Sequence, residues 1–176
     1  MDSSGHSGIS VGTPFSGQIS YANNIPVIGG SSWSATYAPV DISLSMAGEN
    51  IDFFSGRVAV VNDGLDDPDG LLPFWDYVSY FDTVDGLQQI AGEVLTLFQV
   101  TIAEPDGDAI NNTNLITSLD TLNSNFQFKT LGLSFADEFN VFGSVLLEPV
   151  PVPASVWLFG SGLLGLIGIS RKKKAA

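Results

Sequence analysis

The densest run of oxygen-bearing groups in the chain is Asn62-Asp63-Gly64-Leu65-Asp66-Asp67-Pro68-Asp69-Gly70. A hard cation such as Ca²⁺ takes about six to eight oxygen ligands, and one loop can supply them from carboxylates and backbone carbonyls. Asp63, Asp66, Asp67 and Asp69 are therefore the candidate metal ligands, and Ca²⁺ is the one candidate cofactor. The spacing is not that of an EF-hand, because Leu65 stands where a second Asp or Asn would follow Asp63. Asp-Pro and Asp-Gly pairs are also ordinary turn formers, so a solvated acidic turn competes with a metal site. Glu104 to Asp108 is a second acidic loop with fewer carboxylates.

Hydrolytic chemistry finds less support. The single histidine is His6, in a Gly/Ser-rich terminus that would anchor a general base poorly. No Gly-x-Ser-x-Gly elbow occurs in the body, and no cysteine is present to act as nucleophile or thiolate ligand. Paired carboxylates about 5–10 Å apart cleave glycosides, but abundant acid is not arrangement. The expectation is a protein that is not an enzyme and has no catalytic residues. The aromatic run Phe74, Trp75, Tyr77, Tyr80, Phe81 offers either a sugar-stacking face or ordinary core packing, and packing is the simpler reading. Gly160-Ser161-Gly162-Leu163-Leu164-Gly165 matches a dinucleotide fingerprint in letters only, since it lies within an apolar stretch without the strand, or the acidic residue, that the motif requires.

The elements that must position these groups read as β throughout. Phe15, Gly17, Ile19 and Tyr21 alternate with polar residues, as do Val40, Ile42, Leu44 and Met46. Further strands are expected over Arg57 to Val61, Trp75 to Asp82, Gly92 to Ala103, Phe126 to Phe135 and Val141 to Leu147. Turn residues separate them, among them Asn23-Asn24, Gly29-Gly30, Gly48-Glu49-Asn50, Asp85-Gly86 and Asp106-Gly107. The apolar parity flips between Phe128 and Leu131, which predicts a bulge or bend near Gly132. Residues 110–122 suit a short helix or an irregular loop equally. An all-β single antiparallel β-sandwich or jelly roll over residues 13–148 follows, preceded by a flexible segment 1–12. Its expected core is Ile19, Ile42, Leu44, Val58, Val60, Phe98, Val100, Phe128, Leu133 and Phe135.

The last stretch, 149–176, has a different character. Pro149 to Ser170 carries no charge, Ala154 to Ile169 is almost wholly apolar, and Arg171-Lys172-Lys173-Lys174 follows at once. As a helix, residues 154–170 would span roughly 25 Å, close to the thickness of a bilayer core. A basic stop on one flank is characteristic of a spanning helix and keeps that end cytoplasmic. One C-terminal transmembrane helix is therefore expected, with the body outside and the basic tail 171–174 inside.

Val150-Pro151-Val152-Pro153-Ala154, then Trp157-Leu158-Phe159-Gly160-Ser161-Gly162, an apolar run and Arg171 to Lys174 resemble the VPLPA-type variant of the PEP-CTERM sorting signal. Val152 departs from the more usual Leu, a conservative change. The body also resembles, more loosely, exported PEP-CTERM proteins with an opening like Phe15 to Tyr21 and a late pattern like Leu115 to Phe128. The resemblance implies a Gram-negative bacterium, export across the inner membrane, and an exosortase-type membrane protease as partner. Its helix would hold the protein in the membrane until processing near the Pro motif leaves it at the cell surface or outside the cell. An exported chain begins with a basic and then apolar leader, whereas Met1 to Gly8 is polar and acidic; a leader upstream is the expectation.

Charge agrees with export to an aqueous matrix. All 19 acidic residues lie at or before Glu148 against Arg57 and Lys129, which gives the body a net charge of −17. So negative a surface argues against nucleic acid as a partner. The leading functional expectation is a surface or matrix-associated structural protein. A carbohydrate- or calcium-binding module of the exopolysaccharide matrix is the alternative, and a polysaccharide-active enzyme is the next.

Overall fold

The computed structural model describes residues 9–62, 75–84, 88–137 and 140–150. Among them lie nine strands and one short helix: β1 (Phe15–Ser20), β2 (Val27–Gly30), β3 (Ser34–Met46), β4 (Glu49–Val61), β5 (Asp76–Thr83), β6 (Gln89–Ile90), β7 (Glu93–Glu104), α1 (Leu119–Ser124), β8 (Phe128–Phe135) and β9 (Asn140–Ser144). All pairings are antiparallel, and the main path runs β1-β3-β4-β5-β7-β8-β9. β2 pairs with the first half of β3, and β6 forms a short hairpin with β7.

The antiparallel all-β expectation holds. Instead of two separate stacked sheets, one sheet curls until its edge strands approach. A Cβ added to Gly143 of β9 would lie 2.8 Å from Cε1 of Phe15 on β1, so the Phe15 ring fills the seam over a glycine. Neighbours along the path are mostly sequential, a meander rather than the crossed connections of a jelly roll.

Two tight turns have the same composition. Met46 pairs with Glu49 and Ile90 with Glu93, leaving Ala47-Gly48 and Ala91-Gly92 as two-residue loops. All four residues have positive φ, between 53° and 85°. This is the conformation that matches strand twist, and glycine at the second position adopts it without steric cost.

The inner face is apolar: Val40, Ile42 and Leu44 of β3, Phe53, Val58 and Val60 of β4, Val78 and Tyr80 of β5, Phe98, Val100 and Ile102 of β7, and Leu131, Leu133 and Phe135 of β8 are all buried. Each such side chain contributes about 1.5–3 kcal/mol by leaving water. Of the expected core residues, Ile19 is half-buried against this cluster. Phe128 is not in it and is 49% exposed. β8 runs in unbroken register from Phe128 to Leu133, so Phe128 points to the face opposite Leu131. Of the bulge or bend expected near Gly132, the bulge is absent for the same reason. The irregularity sits on the partner strand, where Leu95 and Leu97 face adjacent residues Phe135 and Ser134, and the Thr96 hydroxyl donates to the Ser134 carbonyl at 2.9 Å. Ile9, assigned by sequence to the N-terminal segment 1–12, is buried against the core.

Candidate functional site

One end of the curled sheet gathers most of the polar chemistry. Here β5 begins, β7 ends, β8 begins and β9 ends, as the registers Asp76↔Glu104, Ala103↔Phe128 and Thr130↔Ser144 require. The connection between β7 and β8 crosses this end as a strap. It is irregular up to Ser118, whose hydroxyl accepts from Thr121 N at 3.2 Å, and then forms the six-residue α1. Both sequence readings of 110–122 are thus partly realised, loop first and helix after. Leu122 and Phe126 anchor the strap in the core.

Polar side chains fix its backbone. Asp76 Oδ2 accepts from Ile110 N at 2.9 Å, the Tyr37 hydroxyl donates to the Thr113 carbonyl at 2.8 Å, and the Tyr21 hydroxyl donates to the Ile116 carbonyl at 2.7 Å. Because Tyr21 has spent its proton, the 3.1 Å contact with Tyr80 is a bond donated by Tyr80. Asn125 Nδ2 donates to the Ala109 carbonyl at 3.0 Å. A loop on an inner surface must satisfy its backbone groups, and these side chains do so where no strand can.

Burial raises the Tyr80 hydroxyl far above its ordinary value of 10.0, with the neighbouring Tyr21 adding to the effect. Unfolded, Tyr80 loses its proton from about pH 10; folded, it keeps it. The stabilisation is whole below pH 10 and is lost as pH rises beyond it, at up to about 1.4 kcal/mol per pH unit. Urea unfolding at about pH 9 and about pH 11 is expected to show this fall, with a shallower slope in Tyr80→Phe. An equal slope in that variant would remove Tyr80 as its source.

A shallow, open hollow of about 370 Å³ lies along the strap, lined by Asp108, Asn111, Asn112, Asn114 and Thr121 among others. Its asparagines cap one another: Asn112 Nδ2 donates to Asn111 Oδ1 at 2.7 Å, and Asn114 N donates to Asn112 Oδ1 at 2.8 Å. Nothing in that lining pairs a nucleophile with a base.

The acidic groups divide. Asp63, Asp66, Asp67 and Asp69 lie outside the described residues, as does His6. Of the second acidic loop, Glu104 is 4% exposed, and its Oε1 accepts from Gln127 Nε2 at 3.3 Å and Asp106 N at 3.4 Å. Among the described residues no three acidic or histidine side chains stand close enough to hold a metal ion.

The aromatic run divides by strand parity. Tyr80 faces inward and is buried, while Trp75, Tyr77 and Phe81 are half-buried. Phe74 lies outside the described residues. Trp75 stacks with Phe128, ring centroids 6.3 Å apart and planes at 23°. Sequence reasoning missed Phe128 as a surface group; its mismatch with the parity of Leu131 and Leu133 was the available signal.

The chain leaves the body at this same end. Val145 N donates to the Lys129 carbonyl at 3.0 Å, and Asn123 Nδ2 donates to the Leu147 carbonyl at 3.2 Å. Beyond Leu147 the described chain is exposed: Glu148, Pro149 and Val150. Pro151, Val152, Pro153, Ala154, the helix expected over 154–170, and Arg171, Lys172, Lys173 and Lys174 lie outside the described residues. Among those that are described, no helix is long and apolar enough to cross a membrane.

No curated protein and no solved structure matches the chain. A family model does match one segment, the PEP-CTERM protein-sorting motif, over residues 149–172. The match begins two residues after Leu147, whose carbonyl is the last to accept a hydrogen bond among the described residues. The chain therefore carries a PEP-CTERM protein-sorting motif joined directly to a folded β body, as a protein sorted by an exosortase does.

Proposed function

We propose that this is a non-enzymatic structural protein of the cell surface or extracellular matrix, delivered by a VPLPA-type signal. The observation that carries the reading is the position of the sorting motif, which starts where the folded body ends. Residues 154–170 act as a transient membrane span in the inner membrane of a Gram-negative bacterium. Arg171 to Lys174 stay on the cytoplasmic side, and an exosortase-type protease releases the body near Val150 to Ala154. The charge of −17 keeps the released body soluble among like-charged neighbours. The strap supports a structural rather than a catalytic role, because Asp76 and Glu104, buried and opposite each other, are occupied with amide donors.

The test is mass spectrometry of the native protein from the surface fraction. Peptides covering the body are expected, and none from Leu158 to Ala176. An intact tail in that fraction would restore a permanent anchor.

A second reading, a carbohydrate-binding module, is favoured by one observation. Phe128 and Phe142, large apolar side chains, are 49% and 80% exposed on the sheet.

A further inference from the structure

We propose that the outer face of β4, β5, β7, β8 and β9 is a docking surface for a neutral polysaccharide chain, with Phe142 and the Trp75–Phe128 pair as its two stacking platforms. The proposal rests on the extracellular reading above and gives the alternative role a surface and a ligand class.

The register defines the face. One continuous row of small residues crosses the strands: Thr36, Ala59, Ser79, Thr101, Thr130 and Ser144 are successive cross-strand partners from β3 to β9. Side chains in one row share a face of the sheet. Leu131, Leu133, Val78 and Val100, alternating with these residues, face the core, so the row lies outside. At its β8 and β9 end, where Thr130 and Ser144 are exposed, this row is a trough between Phe128 and Phe142; toward β4 and β5 the face closes, with Val61, Ser79 and Ala103 buried. On one side the flanking row runs Val61, Tyr77, Ala103, Phe128; on the other it runs Arg57, Phe81, Gln99, Gly132, Phe142.

The two flanks end in aromatic rings. A Cβ on Gly132 would lie 3.6 Å from Cε1 of Phe142, so that ring rests over the glycine beside it while 80% of the residue stays exposed. On the other flank, Trp75 of the β5 entry and Phe128 of β8 stack across intervening β7, where Ala103 is buried. Phe128 and Gly132 are four positions apart on β8, roughly 13 Å at strand rise. A single sugar does not reach both platforms; a polymer does.

Charge identifies the occupant. The body carries −17, yet these three rows contain no carboxylate and a single guanidinium, Arg57. Asp76 and Glu104 of the same strands are turned inward and buried. A neutral chain therefore docks here without desolvating a carboxylate, whereas a polyanion meets the repulsion of the rest of the body. The trough between the platforms offers hydroxyls, with Thr130 and Ser144 exposed, and Gln99 Nε2 donating to Ser79 Oγ at 2.9 Å to hold its floor. Apolar ring faces beside hydroxyls suit the two kinds of surface on a pyranose, its C–H face and its hydroxyl edge. An exposed apolar surface rimmed by polar residues is the expected form of such a site.

The test is affinity electrophoresis of the full chain in mild detergent, through gels holding a soluble neutral β-glucan, a neutral galactomannan, or alginate as the acidic comparator. At least one neutral polymer is expected to retard the protein and alginate to leave it unretarded. Phe142→Ala and Phe128→Ala are each expected to weaken retardation about tenfold, the loss typical of a central stacking residue. Phe142→Tyr is expected to keep it. Because Phe142 is so exposed, its truncation leaves the core intact, and unchanged thermal unfolding checks that directly. No retardation by either neutral polymer, retardation by alginate alone, or retardation indifferent to both alanine changes overturns the proposal. These outcomes do not depend on whether the tail is processed, so the surface reading stands or falls separately by mass spectrometry.

Discussion

Ending the chain at Glu148 is expected to abolish the membrane-held form completely, while the body melts within about 1 °C of the full chain. Two facts set this expectation. The last carbonyl with a described partner is that of Leu147, bonded to Asn123, and Glu148 to Val150 are exposed, so the cut removes no described contact of the fold. The removed segment is the PEP-CTERM protein-sorting motif of residues 149–172 with the rest of the basic tail. Without it, no apolar stretch of spanning length and no basic stop remain after the body. Fractionation of cells making the shortened chain, followed by immunoblotting, reads the result. Persistent envelope association would show that something other than the tail holds the protein there. A cut after Ser144 is expected to behave differently, because it also removes the Val145 N bond to Lys129 and the packing of Val145 and Leu147 on the core.

The tail was legible in the sequence because its signals are local: a Pro motif, an apolar run and a basic stop in consecutive positions. Strands were legible for the same reason wherever alternation ran unbroken, as in Val40 to Met46 and Arg57 to Val61, which fall within β3 and β4. The remainder of those two strands was not. Phe53 and Val58 are both buried although their parity differs, because β3 and β4 shift register between Tyr37 and Ile42. Such a shift erases a period of two without ending the strand. β2 was hidden differently: Val27 to Gly30 are exposed at every position, so no alternation exists, and Gly29-Gly30 reads as a turn.

What joins separate strands was not legible at all. The Tyr80–Tyr21 bond links residues 59 apart, and the trough of small residues exists only once six strands are in register. Within one strand, Ser79 or Thr130 is only a polar residue on an alternating pattern. Phe128 was assigned to the core on hydrophobicity, and the strand's own parity overrode it.

The strap supplies the largest effect expected inside the body. Asp76→Ala is expected to lower stability by about 3 kcal/mol, a fall of about 10 °C in melting temperature for a domain of this size. Asp76 is fully buried on the inner face beside Val78 and Tyr80, and its Oδ2 accepts from Ile110 N at 2.9 Å. Alanine removes the acceptor of the Ile110 amide, and a donor left unpaired there costs more than the net worth of the bond. The change also leaves a void where the buried carboxyl group stood, opposite Glu104 on the facing strand. Asp76→Asn keeps an acceptor oxygen at the same reach and is expected to cost less than half as much. Hydrogen exchange separates a local from a global effect: amides of residues 109–117 should lose protection first in Asp76→Ala, ahead of β7 and β8. Melting within about 1 °C of the parent would sink the idea, and would mean that Leu122 and Phe126 hold the strap by apolar contact alone. The expected result would instead rest the strap on a carboxylate, in a chain that has no cysteine with which to staple it.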